Sequence, residues 1–101
     1  MKRKTTRLQK LEKKRFSILT LELSYCFLCG ASPADLHEIY GAGNRQTSMK
    51  NGFVIPLCRR HHQLVHENAE LSNMLKKICQ QRYEEDHTRD EFIKLIHKNY
   101  L

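Results

Sequence analysis

The sequence predicts a small α+β domain, a β-β-α unit with additional helices at its N- and C-terminal ends. Two apolar stretches of strand length, residues 36–40 and 53–57, are separated by a polar, glycine-bearing segment. Helical spacing of apolar residues resumes after Cys58. Two short pairs of soft ligands bracket the strands, Cys26-Phe27-Leu28-Cys29 and Cys58-Arg59-Arg60-His61.

Those pairs lie about thirty residues apart, and together they describe one closed tetrahedral zinc site of Cys26, Cys29, Cys58 and His61. A chain of 101 residues makes one domain with a thin core, because chains this short bury only roughly two-thirds of their unfolded surface. A second stabiliser is therefore expected. The N-terminus is a run of Lys and Arg with no apolar segment behind it, so no secretory signal is expected. No stretch approaches the roughly 20 apolar residues of a membrane span. A cytoplasmic chain keeps its four cysteines reduced, which favours metal over cross-links. Structural zinc contributes on the order of 10–16 kcal/mol in small peptides, as much as the whole net stability of a typical domain. The chain is expected to be unfolded, or nearly so, without it.

Taken in order, residues 5–23 mix helix formers with spaced apolar positions, Leu8, Leu11, Ile18 and Leu19, and predict a helix to about residue 17 with a further turn at 20–24. Gly30 supplies the backbone freedom that a tight ligand loop needs. Ser32-Pro33-Ala34-Asp35 carries the signs of a single helical turn. Residues 36–40 alternate as a strand, 41–48 read as a loop, and 53–57 form a second strand with Pro56 at an edge or strand end. A helix beginning near Cys58 turns Cys58 and His61 to one side and His62 and His66 to another, since i and i+4 share a face. Asn68 caps an amphipathic helix over 69–85, whose stripe of Leu71, Met74, Leu75, Ile78, Cys79 and Tyr83 takes in Cys79 as a packed small hydrophobe. Thr88 and Glu91 form a capping box ahead of Phe92, Ile93 and Ile96. His87 and His97 read as exposed and isolated.

Charge is unevenly placed. Residues 1–15 carry Lys2, Arg3, Lys4, Arg7, Lys10, Lys13, Lys14 and Arg15 against Glu12 alone, so the whole net charge of +7 lies in this arm. Phosphate backbones attract such an arm, with an affinity that falls steeply as salt rises. The alternative is a solvated tail that keeps a small protein soluble.

The combination of Cys-x-x-Cys, His37-Glu38 in a first strand, a glycine-bearing loop, a second strand ending in Leu57-Cys58 and then His61-His62 with His66 resembles the HNH endonuclease family, over roughly residues 16–101. Within it, the chain is similar to small HNH proteins of bacteriophages and prophages, on segments such as Ser17-Ile18-Leu19-Thr20 and Leu36-His37-Glu38-Ile39-Tyr40-Gly41. The resemblance implies a zinc-stabilised ββα-metal domain with its core at about residues 25–68 and supporting helices over 69–101. It also implies one catalytic divalent cation, Mn²⁺, Ni²⁺, Mg²⁺ or Zn²⁺, that stabilises charge on a scissile phosphate while a base activates water. The expected substrate is DNA in a bacterial cytoplasm, with a phage or host protein as a further partner.

Carried over by position, His37 stands where the family places a metal-binding Asp or His, Glu38 where its general-base His stands, and His62 and His66 match the helix ligands. Glu38 is a departure, chemically sound as a base; the competing assignment makes His37 the base and Glu38 a ligand or orienting partner. The family's middle Asn has no firm match in Asn44 or Asn51. Arg45, with Arg59 or Arg60, is a candidate phosphate clamp. A site of up to three imidazoles favours manganese or nickel over magnesium. The alternative reading is a zinc-stabilised nucleic-acid-binding or adaptor module without catalysis.

Overall fold

A computed structural model describes residues 7–101. Its α+β architecture contains, among those residues, five α-helices and one two-stranded antiparallel sheet. The expected N-terminal arm falls partly outside this range: Lys2, Arg3 and Lys4 are not among the described residues.

The sheet pairs β1 (Asp35–Glu38) with β2 (Val54–Leu57), His37 facing Ile55 and Leu36 facing Pro56. All four residues of β2 are buried, as an apolar run without alternation requires. Pro56 needs no partner for its missing N–H in so narrow a sheet, and its carbonyl accepts from the Phe27 N–H at 2.7 Å. That bond hooks the first cysteine knuckle onto the sheet. α3 (Arg59–Glu67) follows β2 directly and packs on both strands.

Three local expectations change. Residues 41–48 are not a loop: a single 3-10 turn (Ala42–Asn44) leads into α2 (Arg45–Asn51), which stops at Gly52 in the left-handed conformation, φ 75°. A Cβ at Gly52 would lie 2.5 Å from the Phe16 ring, so that position needs glycine for space as well as for φ. Residues 32–35 make no helical turn but pass through a cis Ser32–Pro33 peptide into β1. The first helix, α1 (Arg7–Lys13), ends four residues early and no turn forms at 20–24. There the Ser17 hydroxyl accepts from the backbone of Leu19 and Thr20, and Thr20 from Glu22, which draws the chain out of helix.

The C-terminal support follows the sequence closely. α4 (Ala69–Tyr83) is capped by Asn68, whose side chain accepts from the Leu71 N–H. α5 (Arg89–Ile96) carries the Thr88/Glu91 capping box. Leu75, Cys79 and Tyr83 are buried as the stripe requires, but Met74 is exposed and Gln80, outside it, is fully buried. Gln80 lies there without penalty, because its amide donates to Glu84 and Asn99 and accepts from the Tyr100 N–H. The core centres on Phe53, which meets Tyr40 and Tyr83 edge to face at 5.4 Å, with Phe92 behind. His87 is exposed but not isolated, stacking on Tyr83 at 4.1 Å. No helix among the described residues is long and apolar enough to cross a membrane.

Candidate metal centres and the histidine cleft

Four ligand-type residues meet where the knuckle of Cys26 to Gly30 faces the start of α3. The Gly30 N–H donates to the Cys26 carbonyl, closing the knuckle, and Gly30 takes a positive φ of 76°. Cys58 is the N-cap of α3, and its sulfur accepts from the His61 N–H. The Cys29 and Cys58 sulfurs are 3.8 Å apart, and His61 Nδ1 lies 3.2 Å from Cys58 Sγ and 3.6 Å from Cys26 Sγ.

A tetrahedral zinc with its usual bond lengths sets sulfur–sulfur edges of about 3.8 Å and sulfur–nitrogen edges of about 3.6 Å. The Cys29–Cys58 and Cys26–His61 spacings match those edges and Cys58–His61 is shorter by about 0.4 Å, so Cys26, Cys29, Cys58 and His61 can hold a metal ion such as zinc. Burial pushes the Cys26 thiol up, but backbone N–H groups from Cys58, Cys29 and Leu28 outweigh it and hold the group down to about 6. A thiolate is the form that binds metal. Cys79, by contrast, is buried in the core, which pushes its thiol up to about 12 and leaves it outside the cluster.

A second group forms on the other side of α3. His37 from β1 and His62 and His66 from α3 converge, with ring centroids 5.2 Å (37 to 62), 5.6 Å (37 to 66) and 5.1 Å (62 to 66) apart. Their ligand nitrogens lie within 4.8 Å of one another, close enough for one metal ion. The sequence places them there: His62 and His66 share a helix face, and His37 points from the strand that this helix covers. His37 is buried; burial first, then the neighbouring imidazoles of His62 and His66, hold it down to about 4, in the neutral form a ligand needs. Asp35, two residues before His37 and on the same strand face, lies with Oδ2 3.6 Å from His62 Nδ1. A carboxylate there favours Nε2 of His62 as the ligand atom. Sequence reasoning passed over Asp35, although its i−2 spacing from His37 was visible.

The trio opens into a cleft of about 680 Å³, whose walls include Glu38, Arg45, Ser72 and Lys76. β1 ends at Glu38, which is how consecutive residues His37 and Glu38 both reach this cleft. Glu38 is not one of the clustered ligands. Its Oε1 accepts from Arg15 at 3.1 Å and from Arg45 at 3.3 Å. Arg45 also reaches Glu12 at 2.9 Å.

The remaining candidate residues are spread around this site. Arg59 is well exposed and pairs with Asp35 at 3.3 Å. Lys10, Lys13 and Lys14 are exposed along and just after α1, and Arg15 is held against Glu38; the side chain of Arg7 lies outside the described part. Asn44 donates to the Ile96 carbonyl and Asn51 to that of Thr47, so both amides are engaged in the scaffold.

A family model described as Protein of unknown function (DUF968) matches residues 4–88. No curated protein and no solved structure matches the chain.

Proposed function

The chain belongs to the DUF968 family, and we propose that it is a metal-dependent endonuclease of the HNH type, with a ββα-metal core braced by zinc, that hydrolyses DNA phosphodiester bonds. The observation that carries this reading is the convergence of His37, His62 and His66 in the lining of an open cleft. A brace alone needs one set of four ligands, and the chain holds a second, chemically different set. Imidazole ligands suit manganese, nickel or zinc better than magnesium.

A divalent cation in that position supplies Lewis-acid stabilisation of the charge that develops on a scissile phosphate. The side chains do the rest. His37, His62 and His66 would hold the cation, with the Asp35 carboxylate 3.6 Å from His62 Nδ1 as an outer partner. Glu38 lines the same cleft, and its carboxylate is the proton acceptor for an attacking water. Arg45 and Lys76 add positive charge to the walls for the substrate's phosphates. Hydrolysis at this site leaves a 5′-phosphate and a 3′-hydroxyl.

Supercoiled plasmid incubated with the zinc-loaded protein and added Mn²⁺, Ni²⁺ or Mg²⁺ tests the reading. Nicking is expected with manganese and nickel at a higher rate than with magnesium. Absence of nicking with every ion, at full zinc content, leaves the non-catalytic nucleic-acid-binding module in its place.

A further inference from the structure

We propose that Arg45 is a phosphate-binding residue held in place by Glu38 and covered in the free protein by Glu12, which a nucleic-acid phosphate displaces. The inference rests on the nucleic-acid reading above and adds how the cleft is guarded and entered.

Arg45 opens α2 and lines both the histidine cleft and the adjoining cavity walled by Gln46, Thr47 and Lys50. Its guanidinium is divided between two carboxylates, through Nε to Glu38 and through an η nitrogen to Glu12. The two acids are not equivalent. Glu38 belongs to the strand that carries His37, is 13% exposed, and is gripped a second time by Arg15. Glu12 lies on α1, is 34% exposed, and reaches an arginine side chain that is itself 41% exposed. An exposed pair of this kind holds weakly, whereas the half-sheltered pair with Glu38 fixes where the guanidinium sits.

A phosphate presents the oxygens that the Glu12 carboxylate presents now, and with more charge the guanidinium fork favours it. Glu12 is also the only acid among residues 1–15, against eight bases. The one negative side chain of a cationic segment thus sits on the arginine at the cleft. When that carboxylate swings away, Arg45 is open to the nucleic-acid backbone, beside a segment that carries eight bases against one acid.

The two acids therefore act in opposite directions, which simple charge arithmetic does not allow. The test titrates a short fluorescein-labelled DNA duplex with the full chain at one zinc per chain, without further divalent ion and with the duplex checked intact afterwards, so that binding is read apart from cutting. Glu12→Gln is expected to tighten binding about threefold. Glu38→Gln is expected to weaken it about tenfold although it too removes a negative charge. Arg45→Gln weakens binding by a similar factor, lowers the slope of log affinity against log salt by about one, and cancels the gain from Glu12→Gln in the double variant. Zinc content at the wild-type level accompanies each measurement.

Tighter binding by both acid variants, weaker binding by Glu12→Gln, or no effect of Arg45→Gln would each overturn the proposal. If Glu38→Gln loses its zinc, the Glu12→Gln and Arg45→Gln cycle still decides it. Plasmid left uncut while these affinity shifts hold defeats the nuclease reading alone.

Discussion

Asp35 Oδ2 lies 3.6 Å from His62 Nδ1, joining the strand that carries His37 to the helix that carries His62 and His66. The carboxylate thus stands beside the ring of one candidate ligand, on the strand that supplies another. Asp35→Asn should lower affinity for the cation at the trio by about 10–100-fold, as loss of an outer carboxylate does elsewhere. Calorimetric titration of the zinc-braced protein with Ni²⁺ measures it; unchanged affinity would mean that His62 is held by packing alone.

Gly52 combines a positive φ with the close approach of Phe16. Gly52→Ala should cost roughly 1–2 kcal/mol from the backbone alone, with more from the clash. Urea unfolding of the zinc-loaded protein reads the loss as a lower midpoint, and a midpoint equal to wild type would contradict the geometry.

Zinc and thiol reactivity should move together. With zinc bound, Cys26, Cys29 and Cys58 are occupied as ligands and Cys79 is protected by burial, its thiol held at about 12. Alkylation should then be slow at all four cysteines. A chelator should release all four at once and abolish the helical circular dichroism, because the brace contributes as much as the fold's net stability. Retained helicity after complete zinc removal would show a core that stands without the brace.

His37 gives a pH dependence with a definite sign. Its folded value is held down to about 4 by burial and the neighbouring imidazoles, against about 6.5 in an unfolded chain. The unfolded state takes up the proton first as pH falls, so this contribution to stability is complete above about pH 6.5 and is lost on the way down to 4. Between pH 7 and pH 5 the zinc-loaded protein should lose about 2 kcal/mol more than His37→Gln does. Parallel urea curves of the two proteins at both pH values check it, and equal losses would place His37 in a more solvated setting.

Much of the candidate site could be read from the sequence because its logic is local. Two Cys/His pairs, a histidine on a strand and two histidines at i and i+4 specify their own facing once strand and helix are assigned. The capping residues Asn68 and Thr88 were equally plain. Helix α2 was hidden because glycine and polar residues at 41–48 outweighed the helix-forming run that starts at Arg45, and only Gly52 marks its end. The Glu12–Arg45–Glu38–Arg15 chain of ion pairs was hidden for another reason: its partners are brought together by tertiary packing across 7 to 33 residues of sequence, with no periodic signal. The expected arm is in part a docked element, since α1 packs on α2.

Two different metal centres, with cutting at the histidine one, are what the proposed function requires of this chain. Metal analysis of manganese- or nickel-loaded protein beside plasmid nicking, for wild type and His37→Ala, tests it most directly. Wild type should carry a zinc and a second cation and should nick, whereas His37→Ala should keep the zinc alone and leave the plasmid intact. Equal metal content and equal nicking in the two proteins would contradict it.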